Sequence, residues 1–438
     1  MNKVKVIDSP CGFGKSSYAI QYINSLDIDE KVIYITPFLS EVDRIKSECR
    51  AKRIYTPSVG RGKGSKMNDL LQLIKDGKNI ASTHALFANI SDELIEALKD
   101  GNYILILDEV MNVIDKVDMY YDNEKLTDKQ RERFNKEDID TLIRQGIITI
   151  AEDGRVEWQS EKNVLNKYTN LMNLARRGLL YYISNELLIW TFPAEVFFNG
   201  VFREVFILTY GFEGQVQSHY YKYFGVEYEK YIVKDMGDRN YKLLPYDENP
   251  GYDLEWRDKV KSLIHICDKP ALNKIGDAVD TKRGSNDTAL SAAWYSKAKP
   301  EVIKQLSNNV NNYFRNYVFA KNSEEMWTTF KDQKTKFSGK NICKDGWVEC
   351  GCRATNQYSD RTKLAYLVNR YYNPFYIIFF SRRGIKINND DFALSEMIQW
   401  IFRSAIRNGQ EIDVYIPSER MRKLFIEWLN GADLGVTK

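Results

Sequence analysis

Short apolar runs alternate with amphipathic stretches from the first residues of the chain. Val4–Asp8 predicts a strand, a turn rich in Ser, Pro and Gly follows, and Tyr18, Ala19, Tyr22 and Ile23 then fall at helical spacing. Lys31–Phe38 predicts a second strand, broken at Thr36-Pro37 before a helix that starts at Ser40-Glu41. Lys78–Phe87 reads as a strand whose Ser82-Thr83-His84 tip opens another helix. Tyr103–Glu109 is a continuous apolar run closed by two carboxylates, the pattern of a central parallel strand buried on both faces. Between about 115 and 185 the alternation is interrupted: residues 121–145 are charged and helical in period, and Gly146–Trp158 reads as a β-hairpin around Asp153-Gly154. Leu187–Pro193 and Val205–Tyr210 resume the strand pattern, and a second domain is expected from about 226. Residues 252–320 read as mostly helical. Beyond them, strands Met326–Phe330, Trp347–Cys350, Phe375–Phe380 and Ile412–Ile416 are expected among helices Thr362–Arg370, Phe392–Arg407 and Glu419–Leu429. Strands alternating with helices specify parallel sheets covered on both faces. The expected fold is therefore α/β with two parallel-sheet lobes, 1–225 and 226–438, carrying a hairpin and helical insertion at about 115–185 and a helical one at about 252–320.

Composition changes this picture little. At 438 residues there is material for two full cores. No window of about 18 uninterrupted apolar residues occurs, so no membrane span is expected. The chain enters a strand almost at once, so no signal peptide is expected and the cytoplasm is the expected compartment. Six scattered cysteines, with no clustered histidines, fit free thiols better than a zinc site or disulfides. A net charge of only +3 means that a polyanionic partner must meet a local basic surface.

Candidate chemistry begins at residues 9–16, Ser-Pro-Cys-Gly-Phe-Gly-Lys-Ser, between the first strand and the first helix. Gly12 and Gly14 allow the backbone N–H groups of a cradle running over Pro10, Cys11, Gly12, Phe13, Gly14, Lys15, Ser16 and Ser17 to curl around phosphate at a helix N-terminus. Lys15 is expected to reach the terminal phosphates and the Ser16 hydroxyl to hold Mg2+. The full phosphate-loop pattern has Gly where Ser9 stands. At the end of the apolar run, Asp108 is expected on Mg2+ and Glu109 beside the attacking water of ATP hydrolysis. A Gly-rich basic loop at 50–66, with Arg50, Lys52, Arg53, Arg61, Lys63 and Lys66, is open to two readings: phosphate neutralisation or a solvated linker. Gln399, Arg403 and Arg407 follow one another at four-residue spacing, which on one helix would give them a common face.

Taken in order, these segments resemble superfamily 2 (DEAD/DEAH-like) helicases, in the divergent form encoded by bacteriophages and prophages. Helicases of this group tolerate a small residue at the position of Ser9. The resemblance implies two RecA-like lobes closing on ATP and Mg2+. It also implies that Thr36, Ser40, Ser82, Thr83 and His84 lie on the nucleic-acid side of the first lobe. Cys352–Asp360 resembles motif V, which implies phosphate contacts from Arg353, Thr355 and Asn356. Gln399–Arg407 resembles motif VI, whose arginines cross the cleft to the γ-phosphate. Phe402 replaces the usual Gly there and the last Arg stands one residue late, so Arg403 and Arg407 are both candidates for the finger. Leu208-Thr209-Tyr210 stands where Ser-Ala-Thr links the two sites. The resemblance implies a monomeric helicase or translocase acting on nucleic acid, DNA favoured over RNA, in phage replication or recombination, with other replication proteins as candidate partners and the host cytoplasm as its compartment. No upstream adenine-clamp segment is evident, so loose base selectivity is expected. The alternative is a packaging-type or switch ATPase that binds partners without unwinding.

Overall fold

The structure is a computed structural model that describes residues 3–62, 64–117, 136–160, 168–184, 187–198, 200–282, 284–337, 342–351 and 357–432. Its first lobe is organised by an eight-stranded sheet in the order β13-β12-β1-β11-β5-β2-β4-β3. The strands are β1 (Val4–Asp8), β2 (Lys31–Thr36), β3 (Ile54–Tyr55), β4 (Asn79–Thr83), β5 (Tyr103–Asp108), β11 (Phe202–Thr209), β12 (Tyr228–Asp235) and β13 (Tyr241–Pro245). All neighbours pair in parallel except β12 and β13. Successive residues serve opposite faces: Val6, Ile33, Leu105 and Ile207 join one core, Ile7, Val32, Ile104 and Phe206 the other. The helices α1 (Lys15–Ser25) and α2 (Leu39–Glu48) follow β1 and β2 as expected, while β3 and α3 (Lys66–Lys75) lie where the sequence showed only a basic loop and the stretch after it.

Because β12 and β13 extend this sheet, the first lobe runs past 226, and the changeover falls between Pro245 and Leu254. The interruption after β5 forms a small layer of its own. It comprises the antiparallel sheet β6-β10-β9 (Ile114–Lys116, Leu187–Thr191, Leu180–Ile183), the helices α4 (Lys136–Arg144) and α5 (Thr169–Arg176), and the expected hairpin β7-β8 (Ile148–Ile150, Val156–Trp158). Gly154 turns that hairpin with φ of 84°. α6 (Val216–Phe224) then leads into β12.

The second lobe carries a four-stranded parallel sheet in the order β14-β19-β18-β17, built from Ile264–Ile266, Ile412–Tyr415, Lys363–Tyr366 and Glu325–Thr328. Residues 252–320 are thus more than a helical insertion, since β14 lies among α7 (Leu254–Ser262), the hairpin β15-β16 (Val279–Thr281, Gly284–Asn286) and α8 (Pro300–Asn312). Three expectations fail here. Thr362–Arg370 is not a helix but contains β18, with Leu364 and Tyr366 in one core and Ala365 and Leu367 in the other. Trp347–Cys350 makes a single bridge, Trp327 to Trp347, instead of a strand. Phe375–Phe380 is no strand: it lies in α9 (Pro374–Ser381), capped by the Asn373 side chain with Pro374 at its first position. A short run that is apolar all round carries no period to tell the two states apart.

α9 also departs from its lobe. Phe375, Phe379 and Phe380 are buried in the core of the first lobe, where Phe379 stacks on Tyr223 of α6 at 4.5 Å between centroids. Arg382 donates to the Asp153 carbonyl of the hairpin at 2.9 Å, and Arg383 donates to the Tyr223 carbonyl at 2.8 Å. After α9 the chain returns to the second lobe as α10 (Asn389–Ile401), and α11 (Glu419–Leu429) packs beside it.

Candidate functional site at the cleft between the lobes

The loop after β1 is held from three sides. The buried Asp8 carboxylate accepts N–H groups of Gly211 at 2.7 Å and Phe212 at 3.1 Å, and burial raises its pKa. Ser9 is buried and its hydroxyl oxygen accepts the Val233 N–H at 2.9 Å, a bond to β12 that the glycine of the usual pattern could not make. Gly12 and Gly14 take φ of 89° and 85°, the left-handed region, and a Cβ on Gly14 would collide with the Tyr241 ring. Lys15 opens α1, and its ammonium donates to the carbonyls of Ser9 at 2.6 Å and Pro10 at 3.0 Å.

Two strands away, β5 delivers Asp108 and Glu109, with β11 lying between β5 and β1. Asp108 is buried and its pKa is pushed up to about 7, first by burial and then by the charges of Glu109 and Glu41, against the pull of Lys15. Glu109 adopts φ of 68°, its N–H donating to Leu208 O at 2.8 Å and its carboxylate accepting from the Thr209 hydroxyl at 3.4 Å. Asp108 and the Ser16 hydroxyl line the same cleft and are oxygen donors of the kind that suits Mg2+.

These groups line a cleft of about 350 Å³ together with Gln399, Phe402, Arg403 and Arg407 of the second lobe. The three polar residues do not share one helix: α10 ends at Ile401, Arg403 follows the helix end, and Arg407 sits in a separate turn, Ala405–Asn408. All three nonetheless line the same cleft as the glycine-rich loop. Phe402, in the place of a glycine, packs against Trp256 of α7 at 5.2 Å, and Trp256 meets Phe13 of the loop at 5.2 Å. The cleft also contains Glu41 and Arg44, an ion pair on α2 that sequence reasoning missed. The only sequence signal was their place in the first turns after the Thr36-Pro37 break.

Further links cross the cleft. Tyr210, directly after Thr209, is buried in the second-lobe core, where its hydroxyl accepts from Trp428 Nε1 at 3.0 Å and donates to Asp253 at 3.4 Å. Ser395 donates to Tyr210 O at 3.4 Å and accepts from Gln399 at 3.2 Å.

The residues expected on the nucleic-acid side separate into groups. Thr36 and Ser82 are buried, and the Thr36 hydroxyl has no hydrogen-bond partner among the described residues. Thr83 caps the short helix that starts at His84, accepting from Leu86 N. Ser40 is exposed on α2. His84 and Pro37 line a second, larger interlobe cavity of about 1490 Å³, opposite Trp294, Phe330, Arg370 and Tyr371. Arg61 is bound by Asp69 and the Thr56 carbonyl, so it ties its loop to α3. Lys52 turns inward onto the carbonyls of Ile28 and Glu30. Lys63, Arg353, Thr355 and Asn356 lie outside the described residues.

A mixed α/β chain of two parallel-sheet lobes, with a glycine-rich loop of one facing arginines of the other, is the class that fold and cleft define. The chain belongs to the YonV family. It is 39% identical over 441 residues to the SPbeta prophage-derived uncharacterized protein YonV of Bacillus subtilis (strain 168), covering 98% of this chain and 100% of that protein. Two family models match within it, the YonV middle domain at 130–190 and the YonV C-terminal Rossmann-like domain at 258–429. Similarity to solved structures is distant. S. tokodaii Xpd4 overlaps 98% of this chain and 94% of its own at 13% identity and a TM-score of 0.40. The DUF1998 helicase MrfA, bound to DNA and AMPPNP, overlaps 98% of this chain and 48% of its own at 10% identity and a TM-score of 0.32. At such scores these likenesses carry no functional weight.

Proposed function

We propose that this protein is an ATP-dependent nucleic-acid helicase or translocase of the superfamily 2 kind, acting on DNA. One observation carries the reading: Lys15, Ser16, Asp108 and Glu109 of one lobe share a cleft with Gln399, Arg403 and Arg407 of the other. Lys15 and the N–H groups of residues 12–16 hold the phosphates, and Ser16 and Asp108 hold Mg2+, which when bound neutralises phosphate charge. Glu109 orients the attacking water and takes its proton as ADP leaves. Arg403 or Arg407 meets charge that grows on the transferred phosphoryl group. The larger interlobe cavity, with Trp294, Phe330 and Tyr371 for stacking and Arg370 for phosphate, is the proposed path of the strand. The prophage origin of the YonV relative supports a role in phage DNA metabolism in the host cytoplasm.

The test is ATP turnover measured alone and with single-stranded DNA, duplex DNA and RNA. Stimulation is expected with DNA, strongest with single strands. Turnover indifferent to all three polymers would leave an ATP-driven switch, and no turnover at all would remove the ATPase.

A further inference from the structure

A cavity of about 470 Å³ opens beside the glycine-rich loop, lined by Gly12, Phe13, Tyr241, Asn249 and Tyr252 together with the β12 residues Ile232–Asp235. It meets the cleft at Gly12, which lines both. Tyr241 lies against Gly14 at the start of α1, and its backbone is pinned there by Gln21, which accepts the Tyr241 N–H at 2.8 Å and donates to its carbonyl at 3.0 Å. Tyr252 is fixed by its hydroxyl donating to the Asp8 carbonyl at 2.9 Å, and its ring meets Phe13 edge-on at 6.1 Å. The Asn249 amide N–H donates to the Pro245 carbonyl at 2.8 Å, which turns its NH2 group inward to the turn and keeps a carbonyl oxygen for another donor.

We infer that this pocket takes the nucleoside end of the nucleotide, with a purine base against Tyr241 and Tyr252 and its exocyclic amine read by Asn249. This rests on the phosphate loop holding the triphosphate, as proposed above. A nucleotide whose terminal phosphates sit at Lys15 and Glu109 must lead its sugar and base out over the loop. The pocket that adjoins the cleft at Gly12 offers flat half-buried rings and a volume within the range of small-molecule sites. Half-buried tyrosines held by hydrogen bonds present rigid faces at little entropic cost. A carbonyl acceptor pairs with the amino group of adenine and not with the carbonyl oxygen at the same position of guanine. Base selection in this chain therefore lies in the two C-terminal strands of the first lobe and the turn after them. The sequence alone led to the expectation of loose selectivity, and the titrations below decide between the two.

Calorimetric titration of the full chain with ATP, GTP and inorganic tripolyphosphate, each with Mg2+, tests the assignment. ATP is expected to bind roughly tenfold or more tighter than tripolyphosphate, and tighter than GTP. Tyr252→Leu should cost ATP about tenfold while tripolyphosphate binding holds, and Asn249→Ala, at a half-exposed turn, should narrow the ATP-to-GTP ratio. Thermal melts confirm that each variant is folded. Equal binding of ATP and tripolyphosphate, or ATP affinity unmoved by both substitutions, overturns the pocket while leaving the phosphate site standing. Binding of neither ligand by the wild type overturns both.

Discussion

Glu109 takes a left-handed backbone conformation that costs a non-glycine residue ~1–3 kcal/mol, held by its N–H bond to Leu208 O. That turn sets its carboxylate beside Thr209 instead of continuing β5. Glu109→Gln keeps the shape and removes the base, so ATP turnover should fall about a hundredfold or more with nucleotide binding retained. Lys15→Ala should lose binding as well; phosphate release and titration separate the two, and near-wild-type turnover in either variant would contradict the assigned roles. His219 on α6 makes a different prediction. Neither ring nitrogen has a hydrogen-bond partner among the described residues, and burial, with Lys222 adding to it and Glu213 opposing, lowers its pKa from 6.5 to about 4. The unfolded chain therefore binds more protons between those values, so the contribution of His219 is complete above about pH 6.5 and is lost as pH falls through 4, on the order of 3 kcal/mol in all. In urea unfolding across that window, His219→Phe should flatten the pH dependence; an unchanged slope would place its origin elsewhere. Residue by residue, the glycine-rich loop and the carboxylate pair stood out because glycines and a lysine at fixed spacing, and two carboxylates closing an apolar run, can be read from the chain, and one cleft brings them together. Hydroxyls near strand ends look available from the chain alone, but this sheet is covered on both faces, so Thr36 and Ser82 are buried although they lie on opposite sides of it.

Among the elements, those with a clear period were legible and those without one were not. β1, β5 and α11 match their expected spans to within a residue or two. Thr362–Arg370 was expected as a helix, whereas burial of Leu364 and Ala365 on opposite sides of the sheet decides for a strand. In α9 the information lay outside the run itself, in the Asn373-Pro374 cap and in a socket supplied by α6 and the hairpin layer. Phe379 is fully buried in that socket, so Phe379→Ala should destabilise the chain by about 3–5 kcal/mol in a denaturant titration. The arginine-bearing turn depends on packing too. Trp256 bridges Phe13 and Phe402, so Trp256→Ala should lower kcat more than ATP affinity, through misplacement of Arg403 and Arg407. Equal losses in both would show that the tryptophan serves only the fold.

Across the whole molecule, the two parallel sheets were readable from the alternation of elements, but the boundary near 226 was not. β12 and β13 lie after the last motif of the first lobe and before any of the second, so only their pairing with β1 and with each other assigns them. The residues lining the cleft could be listed in order from the chain, but their assembly could not, because Arg403 and Arg407 reach the cleft from beyond the end of α10 and not from one helix face. X-ray scattering with and without a non-hydrolysable ATP analogue should show only a small change in radius of gyration for the wild type and a larger one for Phe379→Ala. Identical changes would mean that α9 does not restrain the lobes. The seating of α9 has a geometric consequence. The halves are joined at the linker before Leu254, again where those phenylalanines lodge, and a third time where Tyr210 is seated in the opposite core. Two pins would leave a door free to swing, whereas a third seat off that line latches it. Any stroke this molecule makes therefore has to release one of the three, and the least deeply bedded of them sets how readily it moves.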